Sequence, residues 1–298
     1  MNSGVHCKQI ACLMTAMLLV PFLIQCGGES KGNMKPLIAL ITDFGDADAY
    51  VPQLKGAIYT TAPDAQVVDL THHLESFNLF EASYLIQKST NTLPASAVIC
   101  AVIDPGVGSE RKGIAFRTSS GRTYVGPDNG IFTHVIRKQG VSRAVTLDNP
   151  KYYYRPEPSA TFHGRDIFGP AAAHLVSGVA LEELGTPHSD LVQLKLESPV
   201  IMGNKINGQI THIDHYGNVI TNIYRKDLPD NFENTLIKII FNKRTLTLPV
   251  VSTYAEAPDK RLFALFNSDD ELEFAIKQNS AAKTLKPKIG DPVALLTQ

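Results

Sequence analysis

The stretch Ala97–Arg111, AVICAVIDPGVGSER, decides how the chain is read. Val98 to Ile103 is short, apolar and β-branched, the composition of a strand buried on both faces. It stops at Asp104, and Pro105-Gly106-Val107-Gly108 can neither extend a strand nor begin a helix cleanly. A carboxylate thus stands at the carboxyl end of a buried strand, beside glycines that let a ligand approach the backbone, with Arg111 shortly after. In open α/β sheets, ligands bind just outside such strand ends. An Asp-Pro-Gly turn with a surface arginine is the plainer reading of the same letters.

Outward from this stretch the pattern repeats. Leu37–Thr42 is another apolar run ending in a carboxylate, Asp43, and Ala65–Leu70 is a third, leading into Thr71-His72-His73. Between them, Tyr50–Thr60 spaces Val51, Leu54, Ala57 and Ile58 as one helical face, with Gly56 as a candidate point of close packing. Leu79–Gln87 reads as a second helix. Strand–helix alternation of this kind predicts a parallel sheet, and right-handed crossovers would bring Asp43, Thr71 and Asp104 to one edge. Gly113–Arg117 and Thr123–Val125 read as further strands, Gly126–Gly130 as a tight turn before a helix near Ile131. Thr161–Pro170 reads as a loop feeding a helix over Ala171–Ser177, whose first turn suits Pro170.

From Ile206 the texture changes to short alternating runs: Gly208–Ile213, Asn218–Ile223, Leu236–Phe241, Thr245–Leu248, Leu262–Phe266, Leu272–Ile276 and Pro292–Leu296. These argue an antiparallel β region. The expected organisation is an α/β domain over 36–190 with a central, mainly parallel sheet, and a smaller all-β, barrel-like domain over 195–298, with the boundary around Gly185–Glu197.

The chain has 298 residues, 44% of them hydrophobic, and a formal net charge of −1. That supports a sizeable core and gives no electrostatic reason to expect a nucleic-acid partner. Residues 1–26 differ in character. Ile10 to Ile24 is almost wholly apolar but too short for a comfortable membrane span, and fits the hydrophobic region of an export signal. Leu23-Ile24-Gln25-Cys26 resembles a bacterial lipobox. Cys26 is therefore expected to carry lipid, residues 27–35 to form a tether, and the chain to be an exported lipoprotein that meets the membrane only through its anchor. An ordinary secretory signal with an incidental cysteine is the alternative. Of the four cysteines, Cys7 and Cys12 leave with the signal and Cys100 sits inside a buried strand, so no disulfide framework is expected.

Candidate chemistry rests on Asp43, Asp104, Asp128 and Asp214 at strand ends or turns, and on His72, His163 and His215 near turn residues. No pair has dedicated metal-ligand spacing, so no metal is expected. Gly-x-Gly-x-x-Gly after the first strand, a Walker A pattern and Gly-x-Ser-x-Gly are all missing from the sequence, which argues against dinucleotide binding, P-loop chemistry and serine hydrolysis.

Taken together, several motifs resemble those of the S-adenosylmethionine hydroxide adenosyltransferases, a group that also includes the fluorinase and chlorinase. They are Thr42-Asp43-Phe44-Gly45, Lys55-Gly56, Val68-Asp69-Leu70-Thr71-His72, Asp104-Pro105-Gly106-Val107-Gly108, Gly126-Pro127-Asp128-Asn129-Gly130, Thr161-Phe162-His163-Gly164-Arg165-Asp166 and Ile213-Asp214-His215-Tyr216-Gly217-Asn218. They occur in family order and cover nearly all the chain after the tether.

The resemblance implies attack of water, as hydroxide, on C5′ of the ribose of S-adenosylmethionine, releasing adenosine and methionine with no cofactor. It places a water-activating trio on Asp104, Arg111 and His163, with His163 accepting or relaying the proton. It places substrate contacts on Asp43, Phe77, Asp128, Asn129, Asp214, Tyr216, Asn218 and Ser268. It also implies a homotrimer with sites between subunits. Halogenases of the group carry Tyr, Thr and Ser where this chain has Asp104, Val107 and Gly164, and an anionic Asp104 would repel halide. The loop Asn267-Ser268-Asp269-Asp270-Glu271 departs from the family's usual Ser-Gly pattern, and Asn78 replaces a more usual Asp. A non-catalytic nucleoside-binding lipoprotein is the other reading, since S-adenosylmethionine is chiefly a cytoplasmic metabolite.

Overall fold

The computed structural model describes residue 1, residues 37–228 and residues 235–296. The expected signal segment, Cys26 and the tether lie, apart from Met1, outside the described residues.

Six strands form the first sheet: β1 (Leu37–Thr42), β2 (Gln66–Thr71), β3 (Val98–Val102), β4 (Gly113–Thr118), β5 (Thr123–Pro127) and β6 (Val141–Thr146). Their order is β2-β1-β3-β5-β4-β6, and only β4 runs against its neighbours. Helices α1 (Tyr50–Thr61), α2 (Leu79–Thr90), α3 (Thr133–Gln139) and α4 (Gly169–Val176) cover it. Alternation along the strands divides the core. Ile38, Leu40, Cys100 and Val102 pack with Leu54 and Ile58 of α1 and Ala171–Ala173 of α4. Ala39, Ile41, Ile99 and Ala101 pack with Ala82 and Ile86 of α2 and Val135 of α3. Both faces are apolar because both are covered, which is why β1 and β3 read as unbroken hydrophobic runs. Cys100 is fully buried, and burial pushes its thiol up to about 12. It is core, as expected.

Two local expectations change. Gly56 has open space around it, and the close helix contact is made by Gly169, where a Cβ would lie 2.6 Å from Leu54 Cδ1. Strand β6 went unread because it is half polar: Ser142 and Arg143 face solvent, and only Ala144 and Val145 are buried.

The second sheet holds β7 (Val200–Met202), β8 (Lys205–Ile213), β9 (Val219–Tyr224), β10 (Leu236–Phe241), β11 (Arg244–Pro249), β12 (Leu262–Phe266), β13 (Glu271–Ile276) and β14 (Pro292–Leu296), with the short helix α5 (Ala281–Leu285). Antiparallel pairing runs β11-β10-β14-β8-β9-β13-β12, and β7 pairs with β8. A bridge between Val250 and Ala264 nearly closes it into a barrel. Its apolar interior is built from Ile206, Ile223, Ile239, Phe274 and Leu295.

Between the sheets the chain is a fastened strap. His188 Nε2 lies 3.0 Å from Asp128, Val192 N–H donates to Asp128 at 2.9 Å, and Leu194 N–H donates to Thr133 at 2.8 Å. Further on, Asn222 Nδ2 donates to Glu197 O at 2.9 Å.

Candidate active site

Parallel pairing of β1, β2 and β3 places Thr42, Thr71 and Val102 at one edge of the first sheet, as the crossover argument requires. Asp104 follows immediately after β3. The chain then turns tightly: Val107 N–H donates to Asp104 O at 3.2 Å and Ser109 N–H to Gly106 O at 3.0 Å. Gly108 is indispensable here, with φ +77° and a would-be Cβ 2.5 Å from Ala160 O. The turn folds Arg111 back over the strand end.

Arg111 Nε donates to both Asp104 oxygens, at 2.8 and 3.0 Å, and Nη2 donates to Oδ2 as well. The pair is largely buried, with 10% and 6% side-chain exposure. The same Nη2 lies 2.7 Å from His163 Nδ1. A guanidinium only donates, so Nδ1 is the acceptor and the neutral ring carries its proton on Nε2. Burial and then the neighbouring Arg111 charge hold the His163 pKa below the ordinary histidine value. Phe168 lies under the guanidinium, 5.2 Å from ring centre to Cζ.

His163 precedes a π-helical turn over Gly164–Phe168 that runs into α4. The loop before it is anchored by Asp166, which is fully buried and accepts from Arg165 and from Ser159 N–H. Sequence reasoning quoted Asp166 within its motif without a role; the role is to hold the loop that carries His163.

Asp43 stands next to this group. Its Oδ2 accepts from Phe77 N–H at 3.0 Å, and Phe77, at φ +67°, exposes 68% of its surface. Phe44, Tyr50 and Phe162 form an aromatic cluster with ring centres 5.3 to 5.8 Å apart, tying the Asp43 loop to the His163 loop. At Gly164 a Cβ would come within 3.3 to 3.4 Å of Phe162, Phe44 and Val102. Behind Asp43, Thr42 Oγ1 lies 2.8 Å from His72 Nδ1, His72 Nε2 lies 3.1 Å from Asp69, and Lys55 binds Asp69.

The remaining candidates fall elsewhere. Both Asp128 oxygens are taken by His188 and Val192, and Asn129 Nδ2 donates to Ile103 O at 2.9 Å, so these two residues hold the strap and the end of β3. Asp214, Tyr216 and Asn218 sit on the β8–β9 turn. Asp214 accepts from Asn218 N–H at 2.8 Å and Asn218 Nδ2 at 2.9 Å. Gly217, at φ +82°, makes the turn possible, because a Cβ there would strike Ser280. Tyr216 is 77% exposed. These three residues line a cavity of about 800 Å³; Asp214 and Ser268 line a second of about 570 Å³. Asp104, Arg111 and His163 line neither cavity. Tyr254 lines both cavities and was missed from sequence, since it lies in an irregular segment without periodicity.

Among the described residues, no group of three or more His, Cys, Asp or Glu is placed to hold a metal ion.

The SAM hydroxide adenosyltransferase N-terminal domain matches residues 38–185, and the C-terminal domain of the same name matches residues 208–294. A protein of Thermus thermophilus named (R)-S-adenosyl-L-methionine hydrolase is 37% identical over 276 residues, 88% of this chain and 100% of that protein. Its namesake from Methanocaldococcus jannaschii is 32% identical, covering 89% of this chain and 98% of its own. A fluorinase from an Actinoplanes species is 28% identical over 76% of this chain and 85% of its own. A crystal structure of an uncharacterized conserved protein from Thermotoga maritima superposes with a TM-score of 0.83 at 32% identity, covering 87% of this chain and 99% of that one. With both domains matched in order across the two sheets, the chain belongs to the SAM hydroxide adenosyltransferase family.

Proposed function

We propose that the chain hydrolyses S-adenosyl-L-methionine to adenosine and L-methionine. The observation that carries this reading is Arg111, which binds Asp104 and His163 through one guanidinium at the end of β3. The sulfonium is already a good leaving group, so no general acid is required. As the water oxygen bonds to C5′, the C5′–S bond breaks and its electron pair stays on sulfur, giving the methionine thioether. The water proton passes to solvent.

The difficulty is to present hydroxide at neutral pH. Arg111 supplies fixed positive charge in a partly water-excluded place, and the Nε2–H of His163 can donate to the developing hydroxide. Of the two parts the sequence offers His163, accepting or relaying the proton, the Arg111 contact at Nδ1 favours a relay in which Nε2–H donates. Asp104 fixes the guanidinium plane through both of its oxygens. Asp43 is suited to the ribose hydroxyls and Asp214 to the substrate ammonium. A carboxylate at position 104 disfavours halide as the nucleophile.

Because the cavities at Asp214 are not lined by the trio, a homotrimer with each site completed by a neighbouring copy fits the arrangement. Exposed Phe77, Val107 and Tyr50 near the trio, and Tyr216 on the second sheet, are the surfaces such an assembly would cover. We assign no cofactor or metal. The N-terminal sequence supports export and a lipid on Cys26.

The test incubates the purified full-length chain with S-adenosylmethionine in halide-free buffer containing chelator. Equimolar adenosine and methionine are expected, lost in His163→Ala. Binding without release would point to a non-catalytic nucleoside-binding protein instead.

A further inference from the structure

A cavity of about 910 Å³, larger than either one at Asp214, is lined by neither the trio nor Asp43 nor Asp214. It opens where α2 and α3 of the first layer face the strap, β8 and β9, and its size is that of a small-molecule site. A bridge separates it from the cavity of about 570 Å³. Tyr84 Oη and Lys88 Nζ, both from α2, bind Glu271 at 2.9 Å, and Lys88 also binds Asp269 at 3.0 Å. Tyr84, Lys88 and Asp269 line both cavities and form the wall between them.

Five cations and three carboxylates line this cleft, on a chain whose net charge is −1. The carboxylates are spent: Asp269 and Glu271 on Lys88, and Glu197 on Lys195 at 3.3 Å. Among the described residues, Arg137, Lys138 and Lys226 have no carboxylate partner. Arg137 gives Nη1 to Leu196 O at 3.0 Å, and Lys226 Nζ stands 5.4 Å from the centre of the Tyr224 ring. Arg137 and Lys138 end α3, whereas Lys226 follows β9, so the fold rather than the sequence brings the three to one cleft. His134, on the same lining, is pushed down to about 4 by burial first and then by Arg137 and Lys88, so it presents a neutral ring. Phe80 of α2 lines the cleft with 48% of its surface exposed. Tyr84, by contrast, already stacks on His212 at 4.9 Å. Uncommitted cations beside an uncovered ring suit several negative charges carried on a flat ring system.

We propose that this cleft is a second binding site, separate from the substrate cavity, for a phosphorylated nucleoside, with its phosphates held by Arg137, Lys138 and Lys226 and its base against Phe80. Lysine and arginine donors to phosphate give charge-assisted hydrogen bonds, and base stacking on an aromatic side chain tolerates any base.

The experiment measures binding to the full-length chain by calorimetry at pH 7.5 with three probes: uridine diphosphate, uridine and inorganic pyrophosphate. Uracil replaces adenine so that the probe differs from the nucleoside of the substrate. Uridine diphosphate is expected to bind about tenfold or more tighter than either fragment, and more weakly as salt is raised. Lys138 and Lys226 are exposed, so Lys138→Gln and Lys226→Gln should fold with unchanged Tm and each weaken uridine diphosphate by about three- to tenfold. Phe80→Ala should weaken uridine diphosphate and leave pyrophosphate unchanged. Asp43→Ala, outside the cleft, should leave all three affinities as they are.

Uridine diphosphate bound no more tightly than pyrophosphate or uridine overturns the proposal, as does full affinity in both lysine variants. Loss of the probe in Asp43→Ala would place it in the substrate cavity and equally overturn it. None of these readouts involves turnover, so a failure of the hydrolase reading leaves the assignment of the cleft standing.

Discussion

The first sheet carries two polar groupings made from the same kinds of side chain. In one, Arg111 joins Asp104 to His163. In the other, Lys55 binds Asp69, and His72 reaches from Asp69 to the fully buried hydroxyl of Thr42. Both lie at the carboxyl ends of parallel strands. The difference is what remains accessible. His72 sets Nδ1 against Thr42 and lies with Nε2 3.1 Å from Asp69 but not hydrogen-bonded to it, and the ring is buried, so no substrate atom can reach it. His163 is half-buried and spends only Nδ1 on Arg111. Proximity of Asp, His and a cation is common to both; an accessible ring nitrogen beside fixed positive charge distinguishes the reactive one.

Arg111 is where breaking this comparison should cost most. Arg111→Met removes the charge and leaves Asp104 and His163 unjoined, and kcat/KM is expected to fall by ~10³ or more, as when a preorganised donor is removed from a reaction site. Arg111→Lys keeps the charge as a single point donor that cannot serve the carboxylate bidentately and the imidazole together, so a loss of ~10² is expected. Steady-state kinetics on S-adenosylmethionine decides both. An Arg111→Lys enzyme of full activity would show that the bridge is dispensable.

The pH profile sharpens the same point. Burial and Arg111 lower the His163 pKa, so the ring stays neutral at and somewhat below the ordinary histidine value of about 6.5. When it does protonate, Nδ1–H and Arg111 Nη2 become two donors facing each other, and the trio opens. Activity should therefore fall on the acid side with a midpoint below about 6.5, and rise toward alkaline pH as hydroxide becomes available. An acid limb centred above that value would contradict the hydrogen bond to Arg111.

His72→Ala tests the other member of the pair. It removes a nearly buried ring and strips Thr42 and Asp69 of their shared partner. Stability should fall by about 1–3 kcal/mol, read as a lowered Tm. Turnover at saturating substrate should change by no more than a few-fold, because the ring never meets the reacting atoms. A loss comparable to His163→Ala, expected at ~10² or more, would make the two groupings functionally alike.

Much of this was legible in the sequence because strand ends announce themselves. Asp43 and Asp104 terminate apolar runs, and the parallel order of β1, β2 and β3 follows from helical spacing between them. What stayed hidden depends on the fold of distant segments. Asp128 reads as a strand-end carboxylate like the others, yet His188 and Val192, from a strap with no periodicity, consume both of its oxygens. The neutral tautomer of His163 is decided by a residue 52 positions away. Glu273 reads as the outward member of an alternating run, yet β13, paired on one edge with β9 and on the other with β12, is buried at every position. Helical spacing points to Gly56 for close packing, but the contact of α4 with Leu54 and Ile58 of α1 is made at Gly169, in a segment whose pairing with α1 no local pattern announces.

The smallest expected effect asks how finely the reactive group is held. At Gly106 a Cβ would lie 3.2 Å from Arg111 Cγ and 3.3 Å from Ser109 Oγ, closer than ordinary contact. No positive φ protects this glycine, so the backbone accepts alanine and the strain goes to its neighbours. The Arg111 stem is the atom group with room to give, and moving it by a few tenths of an ångström would lengthen one of the contacts to Asp104 or His163. Gly106→Ala should thus lower kcat by about two- to tenfold, a small part of the cost of losing an oriented donor, and leave Tm nearly unchanged. The equivalent change at Gly108 would instead strike the Ala160 carbonyl and be felt in folding. Kinetics and melting of the two variants, measured together, separate the orientation of Arg111 from the integrity of the turn that delivers it.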